Sequence, residues 1–368
     1  PAPNSVRSSI ESELIPVTIK KSRLALVCAS LISLMLLSQP WPASSSTAPL
    51  QPGLPVRSAQ EISVQWKKLM NPSADYANPY LTSPSVGKTY SPGSLQPGYI
   101  RDGVNAVNFY RFASGLPYDL SAAANLNVQA QHGAVLLAAE DDFSHEPSKP
   151  VNMPQAFYKK GLEAASSSNL YAYYGYEDHI LALSVDAYME DSDTSNLAEV
   201  GHRRWILNPP LKRIGFGQAS SEEGWIYSVM QVFDESRTKV ADFNYVAYPA
   251  HGAFPLEVFG PDYAWSVSLN EEKFRTPEAK KITVTLVRLG DRKTWKLDSK
   301  HGEVAEKGNY FNVDTNGYGS GAAIIFRPGG IAKYEEGDRY QVTIRGLVSK
   351  SGTSRTLSYT VDFVRAVK

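Results

Sequence analysis

Two histidines of this sequence have acidic residues near them, and that combination can support chemistry. His145 lies in Ser144-His145-Glu146, and His202 lies in Gly201-His202-Arg203-Arg204. The carboxylates that precede the second histidine are Asp186, Glu190, Asp191 and Glu199. Two imidazoles with one or two carboxylates can hold a divalent cation, for which Zn²⁺ is typical. The same groups can instead transfer protons, because imidazole titrates near neutral pH and a carboxylate orients it. The spacing does not choose between these two kinds of site.

The other chemistry-bearing residues indicate no activated nucleophile. No His-Glu-x-x-His motif supports a thermolysin-like protease, and no Gly-x-Ser-x-Gly elbow supports a serine hydrolase. His251 falls in a turn and His301 in a charged loop, where we expect surface positions. His132 and His179 lie on or beside predicted helices, where we expect capping or solvent exposure. We therefore predict no specific catalytic residue and no motif for an organic cofactor.

The elements that must position the two histidines are helices followed by strands. Apolar residues recur at helical spacing in three segments that precede His202, and β-prone runs follow it. The first predicted helix begins at Arg101, the second begins after Asp119 or Ser121, and the third spans Glu177 to Met189. The predicted strands are Ile214–Gly217 and Trp225–Phe233. Helices before strands, without a repeated βαβ rhythm, favour α-β-α layers and an α+β fold.

After Tyr248-Pro249 the helical period disappears and apolar residues alternate. Alternation separated by turn signals such as Asn316-Gly317 predicts an all-β, immunoglobulin-like sandwich of antiparallel sheets. The predicted organisation is a leader at 1–46, a Pro/Ser-rich linker and wrap at 47–98, an α-β-α domain at 99–247, and the β-sandwich at 248–368. A short amphipathic helix, Ala59 to Met70, is expected within the second of these segments.

The leader has the features of a secretory signal peptide. Lys20, Lys21 and Arg23 precede the apolar run Leu24–Leu37, and small residues follow it. The run is shorter than the roughly 20 apolar residues of a membrane span. We therefore expect a secreted or envelope protein with no stable membrane span after cleavage. The single cysteine, Cys28, lies in the leader, so the cleaved protein would have no disulfide.

Charge excludes one class of partner. Lys and Arg total 37 and Asp and Glu total 37, so the formal net charge is zero. A protein that binds nucleic acid through its phosphates carries a basic patch, and no such excess is present here. We expect no nucleic-acid partner.

Several motifs in order resemble the CAP superfamily of cysteine-rich secretory, antigen 5 and pathogenesis-related proteins, in its secreted bacterial branch. The motifs are the helix Asn105–Arg111, the turn Gly115-Leu116-Pro117-Tyr118, Ser144-His145, Ser167–Leu170, Gly201–Trp205 and Ile214–Gly217. Together they cover roughly residues 100–235. The resemblance implies an α-β-α sandwich.

The resemblance also implies a central cavity that carries two histidines and two acidic residues. His145 and His202 match the two histidine motifs. Glu163, in Gly161-Leu162-Glu163, matches the first acid, and Asp191, three residues after Tyr188, matches the second. Asp186 and Glu190 remain alternatives for the second acid. The implied ligand set for zinc or another divalent cation is His145, Glu163, Asp191 and His202.

Three functions are compatible with these residues. The first is a secreted protein that binds an extracellular small molecule, lipid, glycan or cell-wall component in the cleft of His145 and His202. The second is a metal-dependent extracellular hydrolase, with Glu163 or an acid of 186–191 as the general base. The third is a structural envelope protein in which the histidines and acids form a buried hydrogen-bonded network.

Overall fold

Helices cover both faces of a four-stranded sheet in the first half of the protein. The computed structural model describes residues 48–175, 178–304 and 308–367. The helices are α1 Ala59–Leu69, α2 Pro97–Ala113, α3 Ala124–Glu140, α4 Gln155–Ser166, α5 Ile180–Glu190 and α6 Gly201–Ile206. The strands are β1 Tyr80–Thr82, β2 Ser94–Leu95, β3 Ser121–Ala122, β4 Ser168–Tyr174, β5 Arg213–Ser220 and β6 Trp225–Gln231.

Local sequence explains where these helices begin and end. Ser58 caps α1 in a capping box with Glu61, and Pro97 starts α2 at a position where its missing N–H is not needed. The chain leaves α2 through Gly115, whose φ of 75° is accessible to glycine at little cost. Asp141 and Asp191 adopt left-handed conformations that end α3 and α5. The chain therefore changes direction directly before His145 and directly before the loop that leads to His202.

The sheet has the order β3-β5-β6-β4, and its layers are set by glycines in β5. A Cβ atom at Gly215 would overlap the backbone of Leu126, and one at Gly217 would overlap that of Ala130. Helix α3 therefore packs directly on the strand backbone. Phe216 points to the opposite face, where it meets Gly103 of α2. The predicted α-β-α layers are confirmed. The two glycines of Ile214-Gly215-Phe216-Gly217 are needed because α3 packs against the strand backbone at these positions.

Two sheets form the β-sandwich that follows. Its strands are β7 Tyr245–Tyr248, β8 Gly252–Pro255, β9 Trp265–Leu269, β10 Thr283–Arg288, β11 Thr294–Leu297, β12 Tyr310–Asp314, β13 Ala323–Arg327, β14 Arg339–Val348 and β15 Ser354–Val364. One sheet has the order β11-β10-β14-β15-β8 and the other β12-β13-β9-β7. Trp265 lies fully buried between aromatic neighbours and donates from Nε1 to Tyr334 at 2.9 Å. The predicted α+β fold with a C-terminal β-sandwich is confirmed.

The start of the predicted Pro/Ser-rich linker and wrap is an ordered segment before α1. Leu50 forms a bridge with Leu357 and Arg57 with Gly252, so residues 50–57 run along the β-sandwich. The Arg57 guanidinium also lies 4.2 Å from the centre of the Phe112 ring of α2. Proline and serine content did not reveal these backbone hydrogen bonds, because they depend on strands about 200 to 300 residues away. The segment connects both halves.

The two halves share one hydrophobic core. Tyr110 of α2 and Tyr248 of β7 belong to the same buried cluster, with ring centres 6.4 Å apart. Within the described residues no helix is long and apolar enough to cross a membrane. The predicted leader with its signal peptide lies outside the described residues.

Candidate functional site

His145 and His202 lie on one cleft with two adjoining lobes. The lobes have volumes of about 390 and 340 Å³ and share His145, Asn196 and His202. We call first lobe the cavity lined mainly by Phe143, Leu170, Tyr171, Tyr188, Asp191, Asp193 and Ser195. We call second lobe the cavity lined mainly by Ser166, Asn169, Glu199, Gly201, Trp205, Phe233 and Tyr318.

His202 is held by Asp191. The Nδ1–H of His202 donates to Oδ1 of Asp191 at 2.7 Å, and the other carboxylate oxygen accepts the backbone N–H of Arg203 at 3.0 Å. The His202 side chain is 20 % exposed and that of Asp191 is 1 % exposed. Burial lowers the pKa of His202, but the hydrogen bond and charge of Asp191, with the charge of Asp193, outweigh it and raise the pKa above its usual value. Nε2 is left as the ring nitrogen available to a ligand.

His145 is fixed in a similar way at the rim of the cleft. Its Nδ1 lies 2.7 Å from the carbonyl oxygen of Ala165. A carbonyl only accepts hydrogen bonds, so this nitrogen carries the proton and Nε2 is again the free atom. The ring belongs to the exposed loop after α3, and the end of α4 supplies its anchor. Both imidazoles therefore present the same nitrogen to the cleft.

The two arginines after His202 serve as scaffold. Arg203 is fully buried and donates to the carbonyls of Met189 at 2.7 Å and Ala264 at 2.6 Å. Arg204 pairs with Asp314 of the β-sandwich and donates to the carbonyl of Asn316 at 2.7 Å. These bonds attach α6, and with it His202, to α5 and to the β-sandwich.

Glu163 does not reach the cleft. Gly161, Ala164 and Ala165 are the buried positions of α4, and a Cβ at Gly161 would lie 2.9 Å from Cβ of Leu136 in α3. That packing turns position 163 outward, where the exposed glutamate lines a separate surface depression with Lys160. The predicted first acid, Glu163, therefore lies on a face of α4 that points away from the cleft.

The three alternatives for the second acid are separated by their partners. Asp191 binds His202, whereas Asp186 accepts from the Tyr110 hydroxyl at 2.7 Å and Glu190 from the Tyr263 hydroxyl at 3.0 Å. Asp186 and Glu190 therefore lie on the side of α5 that faces α2 and the β-sandwich. Of the three, the structure brings Asp191 to the cleft.

The predicted four-ligand metal set does not fit this arrangement. Glu163 is remote, and both oxygens of Asp191 are already engaged by His202 and Arg203. Across the part of the chain that the structure describes, no group of three or more His, Cys, Asp or Glu residues is placed to hold a metal ion. Of the four predicted ligands, the two imidazole Nε2 atoms are the free donors at the cleft, which is half of a tetrahedral zinc shell.

Two other histidines, which were expected to cap helices or to face solvent, are buried, and one of them caps a helix as expected. His132 is 7 % exposed and His179 is 4 % exposed, so neither faces solvent. His179 caps α5 by accepting from the N–H of Ala182 at 3.4 Å, and its Nε2 lies 3.5 Å from Asp102. Burial lowers the pKa of both histidines. They stabilise the fold away from the cleft.

Sequence reasoning missed the aromatic residues of the second lobe. Phe233 is the last residue of the predicted strand Trp225–Phe233, and Tyr318 lies in the turn-rich stretch Asn316-Gly317-Tyr318-Gly319. A tyrosine flanked by glycines is a recognisable signal of an aromatic side chain on a surface loop. Its proximity to His202, more than 100 residues earlier, depends on how the sandwich packs against α6.

Comparison with known proteins identifies the class that this fold and cleft define. Residues 104–233 match the family model of CAP, the cysteine-rich secretory protein family, so this stretch of the chain is a CAP domain. This class is of generally extracellular type. No curated protein matches the chain.

Solved structures add nothing to this assignment. One similar structure is the archaellum periplasmic stator protein complex FlaF and FlaG from Sulfolobus acidocaldarius, at 17% identity, with 26% of this chain and 74% of that chain covered. The TM-score is 0.18, and a similarity of that extent carries no argument about fold or function.

Proposed function

We propose that this protein is an extracellular CAP-domain protein that binds a neutral glycan in the cleft between His145 and His202. The observation that carries the proposal is the lining of the cleft. Aromatic rings and uncharged hydrogen-bonding groups dominate it, and among the residues that the structure describes no lysine or arginine lines either lobe.

The first lobe has the two kinds of contact that a sugar needs. Phe143 and Tyr171 offer ring surface to the C–H faces of a pyranose, and Phe143 is 57% exposed. Ser195, Asn196 and Asp193 hydrogen-bond to one another and give this lobe a polar edge of hydroxyl, amide and carboxylate groups beside its aromatic rings. A few convergent polar groups in a largely apolar concavity are typical of small-molecule sites.

Charge argues against anionic ligands. Asp191, Asp193 and Glu199 line the cleft, and His202 is already paired with Asp191 at 2.7 Å. A sulfated glycan or an anionic lipid headgroup would meet carboxylates without compensating lysine or arginine. Aliphatic lining is limited to Leu170, Ala172 and Ala187, which is little surface for an acyl chain. Among the expected ligand classes, the lining favours the neutral glycan.

The test is calorimetric titration with a defined oligosaccharide, the tetramer of β-1,4-linked N-acetylglucosamine. We expect the wild-type protein to bind it, and heparin or vesicles of anionic phospholipid to bind at least tenfold more weakly. His202→Ala should weaken tetramer binding by about tenfold, the size of one good hydrogen bond to a charged group. His301→Ala, a histidine of the β-sandwich outside the cleft, is the matched control. Tighter binding of heparin than of the tetramer would contradict the proposal.

A hydrolase remains a second candidate because His202 and Asp191 form an imidazole–carboxylate pair at 2.7 Å. The predicted base Glu163 does not support it, since that residue lies outside the cleft. Mass spectrometry of the tetramer after long incubation distinguishes the two functions. Shortened products that disappear with His202→Ala would establish hydrolysis; an intact tetramer supports binding alone.

A purely structural role for the histidines makes a different prediction. His202→Ala would then lower the melting temperature without changing the affinity for the tetramer. Measuring both quantities on one preparation separates stabilisation of the fold from ligand contact.

A further inference from the structure

We infer that the β-sandwich forms one wall of the ligand site, and that Tyr318 there determines the length of glycan the cleft accepts. The inference rests on the proposed function and extends it. It concerns the second lobe, in which residues of the CAP domain and of the sandwich face the same space.

Tyr318 is held firmly against α6. A Cβ atom at Gly201 would lie 2.8 Å from both Cδ1 and Cε1 of the Tyr318 ring, so the ring rests directly on the backbone that precedes His202. The Tyr318 hydroxyl donates to the carboxylate of Glu199. The guanidinium of Arg204 lies 5.0 Å from the ring centre. These contacts on three sides fix the tyrosine beside the histidine.

The loop that carries Tyr318 is anchored on both sides of it. Arg204 pairs with Asp314 before the tyrosine and donates to the carbonyl of Gly321 at 3.0 Å after it. A Cβ at Gly319 would lie 2.5 Å from Cε3 of Trp205, so the loop backbone also packs on that ring. An anchored loop with two residues in van der Waals contact with α6 is a wall of the site rather than a mobile cover.

The facing surface of the second lobe is also aromatic. Phe233 stacks on Trp205 with ring centres 3.9 Å apart and an interplanar angle of 26°. Phe233 is nevertheless 41% exposed, so part of its surface remains open. The lobe thus combines exposed aromatic surface with the hydroxyls, amide and carboxylate of Ser166, Asn169 and Glu199.

The chemistry of the second lobe repeats that of the first. In the described part of the chain, each lobe is lined by aromatic rings and hydrogen-bonding side chains and by no lysine or arginine, and the two lobes meet at His145, Asn196 and His202. A single neutral chain of sugar units fits both lobes, with the histidines near its middle. Short oligomers need only the first lobe, whereas long oligomers gain contacts with Tyr318 and Phe233.

The test compares the dimer and the hexamer of β-1,4-linked N-acetylglucosamine by calorimetric titration. We expect wild type to bind the hexamer more tightly than the dimer. Tyr318→Ala and Phe233→Ala should each weaken hexamer binding by about tenfold, the size of one aromatic stacking contact, and leave dimer binding unchanged. Tyr318→Phe keeps the ring on Gly201 and should lose less than Tyr318→Ala. Tyr76→Ala, an exposed tyrosine outside both lobes, should change neither affinity.

The outcomes separate the two proposals. If wild type binds neither oligomer, the glycan-binding function itself is contradicted. If wild type binds both oligomers equally, or if the two alanine variants weaken both equally, glycan binding stands and the role of the sandwich is overturned. Should Tyr318→Ala fail to fold, Phe233→Ala and Tyr318→Phe decide, with melting temperatures measured for all variants.

Discussion

The Nδ1–H of His202 donates to the carboxylate of Asp191 at 2.7 Å, across the turn that joins α5 to α6. Asp191 ends α5 in a left-handed conformation, and Val200, just before α6, adopts another. These two left-handed residues reverse the chain, so that the C-terminal end of α5 lies next to the N-terminal end of α6. The hydrogen bond fixes the ring plane of His202 and thereby the direction in which Nε2 faces the cleft.

Loss of this carboxylate should change the pH dependence of stability. The folded-state pKa of His202 is raised, so the pair stabilises the protein below the unfolded pKa of about 6.5 and loses that contribution as pH rises through the folded-state pKa. Asp191→Asn should therefore cost more free energy of unfolding near pH 5.5 than near pH 9, by urea denaturation. A cost that is equal at both pH values would show that the pair does not titrate. Proton NMR should also show a lower His202 pKa in the variant.

Asp186 should show the opposite dependence. Burial raises its pKa to about 6, although the Tyr110 hydroxyl donates to it. An acid with a raised folded-state pKa destabilises the protein increasingly as pH rises from its unfolded pKa of about 4 to the folded-state value. Asp186→Asn keeps an acceptor for Tyr110 and should gain, relative to wild type, on the order of 2 kcal/mol between pH 4 and pH 8. No relative change between these pH values would contradict the burial of a charged group here.

A methyl group at Gly201 should disturb the contact with the β-sandwich. Gly201→Ala would place Cβ 2.8 Å from the Tyr318 ring, and the ring is fixed on its other sides. Overpacking of this kind typically costs about 1–3 kcal/mol. Gly302→Ala is the control, because nothing lies within 4 Å of its Cβ position. Denaturant unfolding of both variants checks the difference, and equal stabilities would show that Tyr318 moves freely.

The buried pair of Arg204 and Asp314 should matter far more than an exposed pair. Their side chains are 1% and 6% exposed, so Arg204→Ala leaves a carboxylate buried without its cation. Breaking such a pair typically costs about 3–5 kcal/mol. Arg339→Ala removes a pair whose side chains are 59% and 40% exposed, and should cost at most about 1 kcal/mol. Comparable costs for the two variants would contradict this prediction.

Zinc should bind weakly. The cleft offers the Nε2 atoms of His145 and His202, and the carboxylates expected to complete a tetrahedral shell lie elsewhere or are engaged. Structural zinc sites bind with apparent free energies of about 10–16 kcal/mol at pH 7. Titration calorimetry with zinc should give a much smaller value that disappears with His145→Ala. A stoichiometric, tight complex would show that further ligands move into the cleft.

The sequence pattern predicted the helices and strands that have a clear apolar period and turn residues at their ends. Helices α1, α2, α3 and α5 and strands β5 and β6 lie within a few residues of the predicted segments, because apolar spacing and turn residues are local. The pattern did not predict α4 or the short helix α6. Helix α4 lacks a side-chain cap, and its buried positions are glycine and alanine, which give a weak apolar period.

The error at Glu163 has a geometric reason. Successive residues of an α-helix are rotated by about 100°, so a one-residue offset moves a side chain to another face. The packing of Gly161 on Leu136 decides which side of α4 faces the cleft. That decision lies in the contact between two helices and not in the motif.

The sequence by itself determined that helices precede strands, that a β-sandwich follows, and that His145 and His202, with acidic residues near them, are the candidate site. These features follow from periodicity, caps and short motifs, which act within a few residues. Only the tertiary structure decided that Asp191 and not Asp186 or Glu190 contacts His202, that Glu163 faces away, and that Tyr318 of the sandwich contacts the helix of His202. Those contacts join residues up to more than 100 positions apart, and their geometry is set by the packing of whole layers, which no local pattern contains.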